Sequence, residues 1–308
     1  MKVAISGATG LIGTALRESL TADGIQIVAL SRKPSVAQGS QGHQGHPLET
    51  LFWDVENGRF DASPLEQVDA VVHLAGEPIA QRWNDARKKA IRESRVKSTR
   101  LLVEGLKSLK RRPKVLVSGS AIGFYGDRGD EALEESSPPG SGFLPETCQA
   151  WEHAAMEAMG LGIRTAVLRT GIVLSTRGGA LKKMLPPFRL GVGGPLGSGK
   201  QWMSWIHIDD IVGAIRHILD KDDLMAAVNG VAPAPATNAE FTRALGRALS
   251  RPAFLPAPTF GLKIAFGEMA SILLEGQRVL PKKLLDTGYR FRFPELQGAL
   301  SDLLARKR

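Results

Sequence analysis

The stretch AISGATGLIGTAL holds Gly7, Gly10 and Gly13 at a spacing suited to gripping a phosphate. A strand-like run, Lys2 to Ser6, precedes it and an amphipathic helical pattern begins at Leu11, the context that separates a dinucleotide site from a chance glycine pattern. Glycine serves where the backbone must turn sharply and approach a ligand closely, because it carries no Cβ. Backbone N–H groups and the helix N-terminus then face a pyrophosphate. After the next strand-like run, ALSRKP presents Arg32 with Lys33 beside it and no acidic residue. An acid there would accept the 2′-hydroxyl of NAD, whereas a guanidinium offers forked, charge-assisted bonds to the 2′-phosphate of NADP. NADP(H) is therefore the expected cofactor. Farther along, FLPETCQAWE carries Cys148, the chain's one cysteine. A thiol with its ordinary pKa of about 8.5 serves as acid, base or nucleophile when a cation lies close. Packed under a cofactor, it is simply a small apolar residue.

Two other patterns carry less. GPLGSGKQ, from Gly194, has the glycine-to-lysine spacing of a triphosphate-binding loop with Lys200 in the lysine place, but Gln201 stands where Ser or Thr must hold magnesium. His43 and His46 lie in SVAQGSQGHQGHPLET without a third ligand nearby, so a surface loop is expected there and no metal site.

The elements that must position these residues follow from periodicity. KVAIS, IQIVAL, AVVHLAG, KVLVSGS and RTAVLRTGIVL alternate with helical patterns from Leu11, across 82–114 and around 150–159. Such alternation predicts an α/β fold, a Rossmann-type doubly wound parallel sheet covered by helices on both faces. We expect an NADP-binding domain over 1–170, with strands contributed from 205–235, and a smaller C-terminal α+β region over 171–308 forming the substrate side. With 43% hydrophobic residues the chain can bury a substantial core. A single cysteine forms no internal disulfide, and no apolar run reaches the roughly 20 residues of a membrane helix, so a soluble protein of the reducing cytoplasm is expected. The net charge of +9 is local: residues 82–114 hold 13 Lys/Arg and 3 Asp/Glu, or +10. Apolar residues recur there at helical spacing and no nucleic-acid motif accompanies them, so a solvated helix face is expected rather than a nucleic-acid partner.

GATGLIG, WDV with Asp54, VVHLAGEPI, SGSAIGFYG and WIHIDDIVGAI together resemble the extended short-chain dehydrogenase/reductase family, which includes nucleotide-sugar epimerases. RWNDARKKAIRESRVKSTRLLV and LLEGQRVLPKKLLDTGYRFRFPEL resemble an atypical branch, the epimerase-family proteins, whose activity is largely unassigned. The resemblance implies that Gly7, Thr9, Gly10, Leu11 and Ile12, with Gly13 behind them, line the pyrophosphate. Arg32 reads the 2′-phosphate, Asp54 and Val55 flank the adenine, and Leu74, Ala75 and Gly76 pass under the ribose. It puts Ser120 at the family's catalytic serine and Tyr125 at its substrate-side tyrosine. It also makes Lys200, Gln201, Trp202 and Trp205 a pocket wall, with simple core packing equally open for Trp202 and Trp205, and has His207 and Asp209 brace that loop and cap the next helix.

The family's catalytic tyrosine and lysine are missing. Matching Glu152 to the Glu that follows them puts Leu144 at the tyrosine and Cys148 at the lysine; a second register puts Cys148 at the tyrosine and Glu152 at the lysine. Thr147 and Glu152 favour the first. Arg95 falls at the family's asparagine and so joins the residues expected around the cofactor. Two functions follow. One is an NADP(H)-dependent oxidoreductase or epimerase-like enzyme acting on a small polar, nucleotide-sugar-like substrate, its proton carried by Ser120, Tyr125, Cys148 or the substrate itself. The other is a non-catalytic NADPH-binding sensor or partner-binding protein. The residues leave both open, along with the oligomeric state, for which a homodimer is one option.

Overall fold

The computed structural model of the protein describes residues 1–32 and 49–306; Lys33, His43 and His46 lie outside them. Apolar, β-branched runs form β1 (Lys2–Ser6), β2 (Gln26–Ser31), β3 (Glu49–Asp54), β4 (Arg59–Phe60), β5 (Ala70–His73) and β6 (Val115–Ala121), with α1 (Leu11–Ala22) and α2 (Asp85–Lys107) between them. Next come β7 (Ala132–Leu133), α3 (Phe143–Met156), β8 (Arg164–Thr170), β9 (Ile172–Leu174), α4 (Gly179–Arg189), β10 (Trp202–Met203), β11 (Trp205–His207), α5 (Ile208–Asp220) and β12 (Ala226–Gly230). The remainder holds β13 (Ala236–Thr237), α6 (Asn238–Leu249), α7 (Thr259–Phe266), α8 (Ser271–Leu274), β14 (Arg278–Val279), α9 (Lys282–Asp286) and α10 (Leu296–Ala305).

The central sheet has eight strands in the order β12-β8-β6-β5-β1-β2-β3-β4, parallel except for the antiparallel β3–β4 pair. From β1 the chain winds one way to β2 and the other way to β5. That reversal opens a crevice beyond the strand ends, where such folds bind ligands. Alternation sorts the side chains between the two faces. Val3 and Ile5 join Leu16 and Leu20 of α1 and Ile211, Ile215 and Ile218 of α5, whereas Ala4 joins Leu102 and Leu106 of α2 and Trp53.

Two elements differ from the sequence expectation. RTAVLRTGIVL is two strands: the chain leaves the central sheet at Gly171, where a Cβ would lie 2.4 Å from the Ser204 carbonyl, and β9 then pairs with β11. The helix expected around 150–159 starts earlier, at Phe143, because Pro145 is tolerated in a first turn, and it ends in a 3-10 turn over Glu157–Leu161.

The C-terminal region shares the central core. Leu284, Leu296, Leu300 and Leu303 belong to the same buried cluster as Ile5 and Leu16. Tyr289 donates its hydroxyl to the Asp210 carbonyl at 2.9 Å, and Asp210 accepts the backbone N–H groups of Arg292 and Phe293 at 2.7 and 2.9 Å. Among the described residues no helix is long and apolar enough to cross a membrane.

Candidate functional site

The glycine turn lies at the crevice. Gly7 has φ +69°, and a Cβ on it would sit 2.8 Å from the Leu74 backbone carbon. A Cβ on Gly13 would fall 2.2 Å from the Gly7 carbonyl oxygen, so the first turn of α1 presses directly on the loop. Gly10 caps α1 without a side-chain bond, while Thr9 is exposed and Leu11 and Ile12 are half-buried beside it. The opposite wall is Leu74, Ala75 and Gly76. Ser6 Oγ accepts the N–H groups of Leu74 and Ala75 at 3.1 and 3.3 Å and lies 2.6 Å from His73 Nδ1. His73 Nε2 in turn lies 3.0 Å from Thr99 Oγ1. Burial pulls the His73 pKa from 6.5 to about 4, so the ring is neutral and ties β1, β5 and α2 together.

Arg32 stands at the end of β2, 69% exposed, with Nη1 3.3 Å from Glu77 Oε1. Asp54 ends β3 and uses its carboxylate locally, accepting Asn57 N and Nδ2 at 3.2 and 2.7 Å; those bonds hold its pKa below the ordinary value. Val55, half-buried, packs against the core on the α2 side. Arg95 covers Gly76: its guanidinium carbon would be 3.3 Å from a Cβ there, and Nη2 donates to the Glu77 carbonyl at 3.0 Å. It also lies 5.2 Å from the centre of the Trp151 ring.

The positions that the family resemblance makes catalytic are joined in a way the sequence does not announce. Ser120 pairs in register with Arg169 across β6 and β8. Ser120 Oγ donates to Glu152 Oε1 at 2.6 Å, and Arg169 grips the same carboxylate from Nε and Nη2, each at 2.8 Å. Arg169 Nη1 donates to the Tyr125 hydroxyl at 3.0 Å, and that hydroxyl donates to Asn229 Oδ1 at 2.7 Å. Asn229 N closes the chain on Glu135 Oε1 at 3.0 Å. The Arg169 guanidinium also stacks over Phe124, 3.4 Å from the ring centre. Every member of this block except Glu135 is buried. Burial raises the Tyr125 pKa, so the phenol keeps its proton.

Cys148 is buried among Ile122, Phe124, Tyr125 and Leu133. Burial, reinforced by the Glu152 charge, pushes its pKa up to about 12 despite Arg95 and Arg169 nearby. A thiol so placed stays protonated at neutral pH. Leu144, half-buried, packs with Phe143, Trp83, Ile91 and Met269. Both lean on Gly123, whose absent side chain gives them room.

Arg169, Asn229 and Glu135 are absent from the residues expected on sequence grounds. One signal was available: an arginine inside the apolar strand RTAVLRT needs a buried partner. Trp205, for which pocket wall and core were both open, is a fully buried core residue bonded to the Ala234 carbonyl at 2.9 Å. Trp202 remains half-buried, donating to Asp130 Oδ1 at 2.7 Å. His207 caps α5, accepting Asp209 N at 3.0 Å, and no metal-ligating cluster occurs among the described residues.

Comparison with known proteins shows the family. Residues 3–229 match the NAD dependent epimerase/dehydratase family, and residues 257–303 match a domain of unknown function, DUF1731. The epimerase family protein SDR39U1 of Homo sapiens is 40% identical over 310 residues, 99% of this chain and 100% of that protein. A crystal structure of human SDR39U1 isoform 2 with NADPH aligns at a TM-score of 0.86 and 39% identity, over 98% of this chain and 99% of that one. The nucleoside-diphosphate sugar epimerase from Corynebacterium glutamicum aligns at a TM-score of 0.77 and 36% identity, over 99% of this chain and 58% of the other.

Proposed function

This chain belongs to the NAD dependent epimerase/dehydratase family, and from that premise we propose that it is an NADP(H)-binding protein working without that family's proton transfer. The cofactor is NADP(H). The glycine turn, the free N-terminus of α1 and the exposed Arg32 fit a dinucleotide carrying a 2′-phosphate, and the human relative was crystallised with NADPH. The observation that carries the rest is the 2.6 Å bond from Ser120 to Glu152, inside a block that also holds the Tyr125 hydroxyl. Ser120 commits its proton to a carboxylate that Arg169 clamps, Tyr125 commits its proton to Asn229, and Cys148 holds its own through neutral pH. A hydroxyl whose proton is so committed offers only lone pairs, which accept a hydrogen bond and donate none. Hydride chemistry on a carbonyl needs a proton donor within reach; the Ser120 and Tyr125 protons are engaged elsewhere, and burial makes the Cys148 thiol a poor acid.

The test is a titration with NADPH followed by prolonged incubation with nucleoside-diphosphate sugars, small carbonyl compounds and fractionated cell metabolites. Tight binding with no cofactor oxidation in any fraction is expected; sustained oxidation removes the proposal. One observation favours a second reading. Through the same bond, Ser120 would relay a proton from a bound alcohol to Glu152 while NADP+ takes the hydride, making the protein an oxidoreductase for a small polar alcohol. That reading requires reduction of NADP+ that is lost in Ser120→Ala and kept in Cys148→Ser.

A further inference from the structure

The segment after β5 gathers three guanidinium groups around one residue, Glu77. Its carboxylate lies between two of them, with Oε1 3.3 Å from Arg32 Nη1 and Oε2 3.5 Å from Arg87 Nη1. Its carbonyl accepts Arg95 Nη2 at 3.0 Å, and its N–H donates to Ser94 Oγ at 3.2 Å. Neither carboxylate contact is tight. Arg87 is held mainly by the Pro78 carbonyl, 2.7 Å from Nη2, and its Nε is buried with no partner. Among the described residues three cations face one anion here, so the corner carries more positive charge than Glu77 balances.

We propose that Arg87 is a second ligand of the cofactor's 2′-phosphate, forming a clamp with Arg32 in which Glu77 holds the place of the phosphate until NADP(H) binds. The inference rests on the NADP(H) reading above. The geometry supports it in three ways. Arg32 stands at the strand end where the adenosine ribose lies in this type of sheet. Carboxylate and phosphate edges suit the same guanidinium fork, so a gap spanned by two carboxylate oxygens accepts two phosphate oxygens. A phosphate of higher charge gains more from two arginines than Glu77 does, and only one of the two residues is now counted as a reader of that phosphate. Glu77 thereby becomes a specificity-determining residue, because NADH carries nothing to displace it.

Binding is measured by fluorescence titration with NADPH and NADH, and by competition with adenosine 2′,5′-bisphosphate and 5′-AMP. Arg87→Gln is expected to weaken NADPH and the bisphosphate about tenfold or more, the scale of one charge-assisted bond, and to leave NADH and 5′-AMP within about twofold. Arg87→Lys, which keeps the charge and loses the fork, falls between. Glu77→Gln is expected to strengthen NADPH binding severalfold while NADH is unchanged. Equal losses for both dinucleotides in Arg87→Gln, or no loss for either, overturn the clamp while leaving the cofactor reading intact. Failure of the unaltered protein to prefer NADPH to NADH overturns both.

Discussion

Arg32 and Arg169 both pair with a glutamate, and they do opposite work. Arg32 is 69% exposed and meets Glu77 through one contact at 3.3 Å. Arg169 has a side chain only 6% exposed and takes both oxygens of Glu152 at 2.8 Å. Exposed pairs are worth little, about 0–1 kcal/mol, so the partner of Arg32 is exchangeable, which suits the phosphate contact proposed for it. A buried pair is different, because losing one partner strands a charge away from water. The rim of the crevice is therefore built to exchange partners, and the block behind it is built to keep them.

Four measurements break or sharpen this contrast. The largest effect is expected from Glu152→Ala, which leaves Arg169 uncompensated and should cost about 3–5 kcal/mol of stability in urea unfolding. NADPH affinity of the folded fraction should change little, and a stability change below about 1 kcal/mol would end the account of the block as a buried pair. Next is the pH dependence of stability due to His73. Its folded pKa is depressed to about 4 from 6.5, so the unfolded chain takes up a proton that the folded chain refuses. Stability present above pH 6.5 is then lost as the pH falls toward 4, by about 1.4 kcal/mol per pH unit, and His73→Asn should remove that slope from the unfolding midpoints. Third, Arg32→Glu should weaken NADPH about tenfold or more against NADH while leaving the unfolding midpoint where it was. A large loss of stability instead would make Arg32 part of the scaffold. The smallest effect is expected at Cys148, where alkylation by iodoacetamide should be negligible at neutral pH in the folded protein and rapid after unfolding.

Legibility followed the range of the interactions. Gly7, Gly10 and Gly13 were readable because what they permit, a turn and a close approach to Leu74, is a property of backbone in a short segment. The place of Arg32 was readable because the end of a strand fixes where its side chain starts. The Ser120, Glu152 and Arg169 block was not, although each residue stood in view. Its closure depends on the register that sets Ser120 opposite Arg169 and on the rotation of α3 that turns Glu152 toward them. Tyr125 bonds to a residue 104 positions away, a pairing no local pattern encodes. The fate of Cys148 was likewise set by neighbours from several elements, which turned a thiol of ordinary type into one that does not ionise near neutrality.

The core that joins Leu300 to Leu16 bears on how this chain can be taken apart. Tyr289 reaches so closely over α5 that a Cβ on Gly213 would lie 2.3 Å from its hydroxyl oxygen. Cofactor turn and C-terminal helices are thus expected to melt as one cooperative unit, and a fragment ending near Gly230 would expose the apolar face of α5 and lose the partners of Asp210. Because residues 257–303 share that core, exchanging them between relatives should require recutting the face they cover.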